Sequence, residues 1–234
     1  MLVYGHWGRP VLAFPSQQGP AWQYEERGMV DAIGHLLDRG RAKLYAVGSF
    51  DSGSWYREDL TLEGRACQHG RYEDWILNQV VPFIESDTGG SGGEIIVTGV
   101  SFGAYHAANF TLKHAHVFPL AICQSGVYDV SLVAGGREGA NRGDAVYFNN
   151  PADYVAQLGG DHLEWLRGSA SLVLVCGQGQ WEDTTGALAS TRRFASLLGD
   201  KGIRHELDLW GHDVPHDWPA WRAQLAHDLP RFCP

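Results

Sequence analysis

The chain has 234 residues, 44% hydrophobic and 19% charged; this is enough apolar side chain for one α/β core and too much for a disordered polymer. Its formal net charge of -9, with no run of Lys or Arg, excludes binding to nucleic-acid phosphates by charge. No apolar stretch reaches the length of a membrane span, and the opening MLVYGHWGRPVLAF has neither the basic region nor the long apolar stretch of a signal peptide.

In chain order, Leu2–Tyr4 is a short candidate strand and Val11–Phe14 a firmer one. Gly28–Arg39 has a helical pattern, and Lys43–Val47 is strand-like. Tyr72–Ser86 follows as a helix in which Pro82 predicts a bend. Glu94–Val100 is the next strand, Phe102–His114 the next helix and Leu120–Cys123 the strand after it. From Tyr128 to Arg167 the pattern is irregular, with Gly135–Gly136, Asn149–Asn150–Pro151 and Gly159–Gly160. This reads as a cap-like excursion over the sheet, of the kind that covers sites. Ser171–Cys176 is a strand, Thr185–Lys201 a helix, Arg204–Trp210 the last strand and Trp221–Leu229 a closing helix. Most strand runs are continuously apolar, as in strands buried on both faces. Strands alternating with helices predict a single α/β domain over 1–234 with a mostly parallel sheet.

Gly99-Val100-Ser101-Phe102-Gly103 has a strand before it and a helix after it. A serine on such a sharp turn is lifted to the carboxyl edge of the sheet, and the positive end of the following helix faces any oxyanion formed there. Gly89-Gly90-Ser91-Gly92-Gly93 has the same spacing but the reverse order of helix and strand, so Ser91 reads as a loop residue. A serine hydroxyl needs a base. Eleven histidines are present, and on this kind of turn the base follows the acid, beyond the last strand. His212, His216 and His227 fall there, and His227 reads as a surface residue of the closing helix. The H-x-x-x-H spacing of His212 and His216 is that of a metal pair, but Pro215 disfavours a helix through it and no third ligand is near. No metal and no cofactor are expected.

The loop after Ser171–Cys176 contains two carboxylates, Glu182 and Asp183. Either could hold the imidazole. Asp183 has a competing use as N-cap of the next helix, which favours Glu182 as the acid with Asp183 as alternate. One oxyanion donor is expected from the Phe102 amide. The second is expected from the loop after Val11–Phe14, where Pro15 has no N–H and Gln17 is the choice. Of nine tryptophans, most are expected to fill cores; Trp181 and Trp218, next to the acid and the base, are the expected pocket walls. Ser49–Trp55 is either part of the pocket or a solvated turn. His106, His114 and His116 read as structural or surface residues. The four cysteines, Cys67, Cys123, Cys176 and Cys233, form no C-x-x-C pair, and the reading is a reduced, cytoplasmic protein.

With these residues in hand, the chain resembles the "putative esterase" family of α/β-hydrolases, which includes esterase D-like enzymes, feruloyl esterases and the antigen 85 mycolyltransferases. The resemblance covers nearly the whole chain in order and spacing. It is specific at Gly99–Gly103 and at His216-Asp217-Trp218-Pro219-Ala220-Trp221, an H-x-W-x-x-W pattern that the family's catalytic histidine opens; this selects His216 over His212. The text Trp75–Ile84 is similar to the family's helix ahead of the nucleophile strand. The chain departs from the family at Ser16-Gln17, where histidine-glycine is common, and in an acid farther from its strand than usual. The resemblance implies an α/β-hydrolase fold and acyl transfer from a small-molecule ester, usually to water. The other readings are transfer to a non-water acceptor and a catalytically silent binding protein on the same scaffold.

Overall fold

The computed structural model describes residues 1–90, 94–133 and 143–234. Its strands are β1 Leu2–Tyr4, β2 Arg9–Phe14, β3 Ala42–Ala46, β4 Ile96–Val100, β5 Leu120–Gln124, β6 Ser171–Cys176 and β7 Arg204–Leu209. They form one seven-stranded sheet in the order β1-β3-β2-β4-β5-β6-β7. All neighbours run parallel except β1, which pairs antiparallel with β3 through Leu2↔Ala46. Both faces are covered, so alternate residues of one strand enter different cores: Leu12 and Phe14 one, Val11 and Ala13 the other. This explains why the strands read as apolar runs and not as alternations.

The helices are α1 Gln23–Glu26, α2 Met29–Ala32, α3 Gly34–Asp38, α4 Leu62–Trp75, α5 Val81–Asp87, α6 Phe102–Lys113, α7 Val130–Val133, α8 Asp144–Tyr147, α9 Pro151–Gln157, α10 Gly160–Ser169, α11 Ala187–Asp200 and α12 Trp218–Asp228. Two expected helices are broken. Over Gly28–Arg39 the chain forms two short helices, α2 and α3, because Ile33 leaves helical geometry at φ −111°; Gly28, left-handed at φ 71°, is the N-cap of α2. Over Tyr72–Ser86 there is no simple bend. A π turn at Ile76–Val80 joins α4 to α5, with Pro82 in the first turn of α5. Pro82 cannot donate to the carbonyl four residues back and its ring crowds that carbonyl, so the widened turn relieves both problems. The closing helix begins at Trp218, three residues earlier than expected. The irregular segment forms the short helices α7 to α10. Glu63 ties α8 to α4, accepting from Ala145 N–H at 2.9 Å and Val146 N–H at 3.0 Å. Gly135–Gly136 and Ser91 lie outside the described residues. Among the described residues no helix is long and apolar enough to cross a membrane.

Strand order positions the site. From β2 the chain moves outward to β3, then returns to β4 on the other side of β2. The crevice outside the carboxyl ends of β2 and β4 is therefore the switch point where open α/β sheets bind ligands.

Away from that crevice, Glu73 fastens α4 to the end of α6, bonding Lys113 Nζ at 2.5 Å and His114 Nε2 at 2.6 Å. Burial alone would raise its pKa, but the His114 hydrogen bond and the Lys113 charge outweigh this and lower the carboxyl from 4.5 to about 2. A carboxyl lowered on folding stabilises above its unfolded pKa, and that contribution is lost as pH falls from about 4.5 toward 2. Glu73→Gln is expected to cost about 3 kcal/mol at pH 7. Urea midpoints should show the gap between the two proteins closing toward pH 2; a gap independent of pH rejects the account.

Candidate active site

Ser101 joins β4 to α6 with φ 54° and ψ −120°. This is a strained conformation for a residue with a Cβ, costing about 1–3 kcal/mol. Its N–H donates to Gln124 O at 2.8 Å, which ties the turn to β5. The flanking glycines are sterically required. A Cβ on Gly99 would lie 2.1 Å from Gly103 O, and one on Gly103 would lie 2.2 Å from Pro15 O and 2.5 Å from Phe14 O. Helix α6 thus starts against the end of β2, bringing the loop after β2 beside Ser101.

Two further loops are laced together by their backbones. Gln178 N–H donates to Gly211 O, Gly179 N–H to Val214 O at 2.9 Å and His216 N–H to Gln180 O at 2.9 Å. The fit again needs glycine, since a Cβ on Gly177 would lie 2.1 Å from Val214 O. This lacing sets His216 between two oxygens, with Nδ1 2.9 Å from Glu182 Oε2 and Nε2 3.1 Å from Ser101 Oγ. Glu182 is wholly buried, and the His216 side chain keeps 10% of its surface exposed. Glu182 Oε1 accepts from Ser125 Oγ at 2.6 Å and from Gly177 N–H at 3.3 Å. Ser125 can give its proton to Glu182 because it accepts Trp221 Nε1–H at 3.1 Å. A carboxylate only accepts, so Nδ1 of His216 carries the proton and Nε2 is left to accept from Ser101. The Trp221 ring stands edge-on to the His216 ring, with centroids 4.9 Å apart.

The alternate acid does not share this arrangement. Asp183 is exposed, and α11 starts only at Ala187, behind Gly186 at φ 77°, so Asp183 is not its N-cap either. The cleft at Ser101 holds about 550 Å³ and is lined by Gln17, Tyr56, Phe102, Val127, Leu132 and His216, with Asp183 to Gly186, Ala189 and Arg193. Neither expected tryptophan wall is among them. Trp181 takes φ 69° and is 50% exposed, turned outward by the bend that buries Glu182. Trp218 is taken up by packing on Tyr24, Trp221 and the Arg27 guanidinium. His212 is exposed, and its carbonyl packs on Gly179. Five of the nine tryptophans are exposed: Trp7, Trp22, Trp75, Trp165 and Trp181.

Sequence reasoning missed Ser125 and Trp221 as neighbours of Glu182 and His216. The available signal for Ser125 was its place directly after β5, on the same edge as Ser101. Ser49–Trp55 is no solvated turn, since Asp51, Ser54 and Trp55 are buried. Burial, and then Asp51, raises the Tyr56 phenol well above its ordinary range. Burial, and then Glu182, does the same to the Cys176 thiol. Neither group competes as an anion near neutrality. Among the described residues, the only group spaced to hold a metal ion is Asp208, His227 and Asp228, outside this cleft and already joined by Arg231 at 2.9 Å from Asp228.

Gly177→Ala should push the histidine loop off the acid loop, at a stability cost of about 1–3 kcal/mol. A shift of His216 by about 1 Å should slow fluorophosphonate labelling of Ser101 on the order of a hundredfold. Gly70→Ala, inside α4 with nothing within 4 Å of the new Cβ, is the control and should stabilise by about 0.5–1 kcal/mol. Denaturant midpoints and labelling rates check both; equal behaviour of the two variants contradicts the lacing.

No curated protein matches the chain. Among solved structures, a ferulic acid esterase matches with a TM-score of 0.69 and 20% identity, over 97% of this chain and 85% of its own. MPT51 (FbpC1) of Mycobacterium tuberculosis matches with a TM-score of 0.66 and 12% identity, over 99% and 91%. S-formylglutathione hydrolase (FrmB) of Staphylococcus aureus gives 0.63 and 13%, over 100% and 84%. At these identities the likeness is one of fold, that of the α/β-hydrolases. The family model described as "Putative esterase" matches residues 14–232, nearly the whole chain, and on that ground this protein belongs to the "Putative esterase" family.

Proposed function

We propose that the protein is a serine hydrolase that cleaves small-molecule carboxylic esters through an acyl-enzyme on Ser101. The observation that carries this reading is the unbroken line from Ser101 Oγ through His216 to the buried Glu182, at 3.1 and 2.9 Å. His216 Nε2 takes the hydroxyl proton as Ser101 attacks the ester carbonyl, then returns it to the leaving alcohol. Water repeats the sequence on the acyl-enzyme. Glu182 fixes the tautomer and stabilises the imidazolium without taking the proton.

The tetrahedral oxygen needs donors, and the hydrogen bonding of the local amides supports two. In the loop after β2, Ser16 N–H is used by Gln23 Oε1, Gln18 N–H by Asp51 and Gly19 N–H by Ser16 O. Pro15 has no N–H. Gln17 N–H is the one left without a partner among the described residues, and Gln17 lines the Ser101 cleft. The Phe102 N–H, first in α6, is likewise unpaired there. These two amides form the oxyanion hole in this reading. The four cysteines are unpaired with one another, which suits a reducing compartment such as the cytoplasm.

Turnover of p-nitrophenyl acetate and butyrate tests the assignment. Ser101→Ala and His216→Ala should each lose on the order of a thousandfold or more in kcat, with Glu182→Gln also severe. Asp183→Asn should stay within about threefold, since it only rims the cleft. Undiminished turnover in Ser101→Ala refutes the hydrolase, and a large loss in Asp183→Asn reassigns the acid.

A further inference from the structure

Beneath the cleft lies a second carboxylate–imidazole pair, which the line from Ser101 to Glu182 does not use. Asp51 follows β3, and His106 sits on the second turn of α6. Asp51 Oδ1 and His106 Nε2 are 2.8 Å apart, and each side chain is 1% exposed. The rings of Phe14, Phe102, Tyr105 and Tyr72 surround His106 with centroids between 5.0 and 5.7 Å away. A charge held among aromatic rings is costly unless its oxygens are satisfied. The other oxygen of Asp51, Oδ2, accepts Gln18 N–H at 2.9 Å.

That contact lies one residue from the amide assigned above to the oxyanion. Gln18 itself is left-handed, at φ 56°, a conformation that costs a residue with a Cβ about 1–2 kcal/mol. Left to itself the loop would relax, and a change in the backbone torsions at Gln17 and Gln18 would redirect the adjoining Gln17 N–H. The Gln17 side chain is engaged separately, its Oε1 accepting from Tyr56 OH at 2.7 Å, so it does not fix the peptide plane. His106 shares α6 with the Phe102 amide. The Asp51–His106 pair therefore ties the loop bearing one candidate donor to the helix bearing the other.

We propose that Asp51 is a positioning residue: clamped by His106, it holds Gln18 in its left-handed turn and so keeps the Gln17 amide aimed at the oxyanion. The proposal rests on the serine-hydrolase reading. It adds that the hole is set from below by a buried carboxylate–imidazole pair that never touches substrate.

A positioning role affects the transition state and not ground-state binding. Per active site titrated with a fluorophosphonate, Asp51→Ala should lower kcat on p-nitrophenyl butyrate on the order of a hundredfold, with KM within about threefold. The Ki of an alkyl trifluoromethyl ketone, whose hemiketal oxyanion occupies the hole, should rise by the same factor. Asp51→Asn keeps an oxygen for Gln18 N–H and should recover most of the kcat. If the alanine variant does not fold, the double variant Asp51→Leu with His106→Leu replaces the pair by apolar groups of similar volume, a kind of change that is often neutral or stabilising; it should show the same loss in kcat and in inhibitor affinity. Unchanged kcat per titrated site, or KM and Ki rising together, overturns the proposal. Failure of the hydrolase reading itself appears elsewhere, as undiminished turnover in Ser101→Ala.

Discussion

A carboxylate that water does not reach has to be satisfied by the protein, and around Glu182 that requirement organises the whole site. Its oxygens are met by His216, Ser125 and Gly177 N–H, with the Cys176 thiol 3.4 Å away. Those partners come from four places in the chain: the end of β6, the loop that follows it, the loop after β5 and the loop after β7. Losing any one would leave a buried charge short of a donor, a cost of several kcal/mol. The same demand that stabilises the carboxylate therefore fixes the imidazole, and the imidazole's second nitrogen has little freedom except to face Ser101.

The sheet makes this convergence possible. Parallel strands deliver all their carboxyl ends to one edge, and crossovers on both faces leave that edge uncovered at the switch point between β2 and β4. Close approach of the loops then depends on missing side chains. Gly99 and Gly103 let α6 start against β2, and Gly177 and Gly179 let the acid loop lie on the histidine loop. The backbone at these four positions has a carbonyl oxygen where a Cβ would be, so the spacing of the site is set by van der Waals radii before any polar contact is counted.

Much of this was legible in the sequence, for identifiable reasons. Short continuous apolar runs located the inner strands within a residue or two, because burial on both faces makes such strands apolar throughout and the runs are too short for helices. Ser101 was legible because a strand–serine–helix order is local. The preference for Glu182 over Asp183 rested on an N-cap use of Asp183 that the structure does not show, since Gly186 caps α11; Glu182 meets His216 because the turn at Trp181 buries it. Broken helices were illegible where the break is one residue leaving helical geometry, as at Ile33, or a π turn, neither of which disturbs the hydrophobic period. Trp181 and Trp218 misled because adjacency in sequence does not give the side of the backbone on which a ring emerges. Ser125, Asp51 and Trp221 act through contacts 57, 55 and 96 residues away, and no periodicity encodes such pairings.

One pattern appears only in the folded chain. Among the described residues, four that are not glycine take left-handed φ: Gln18, Ser101, Ser125 and Trp181. They follow β2, β4, β5 and β6 respectively, so strain of about 1–3 kcal/mol apiece is gathered along one edge of the sheet. Each is held by a specific bond: Gln18 N–H by Asp51, Ser101 N–H by Gln124 O, Ser125 by Val175 O and Glu182, and Trp181 O by the Thr185 hydroxyl. Strain confined to one face of an otherwise regular sheet persists only where the surrounding contacts outweigh it. The buried pairs Glu182–His216 and Asp51–His106 lie among these turns and share their hydrogen bonds. The polar network and the strained backbone therefore form one arrangement, in which each buried charge takes its donors from turns that would otherwise relax, and each turn keeps its shape because a buried charge needs the donor.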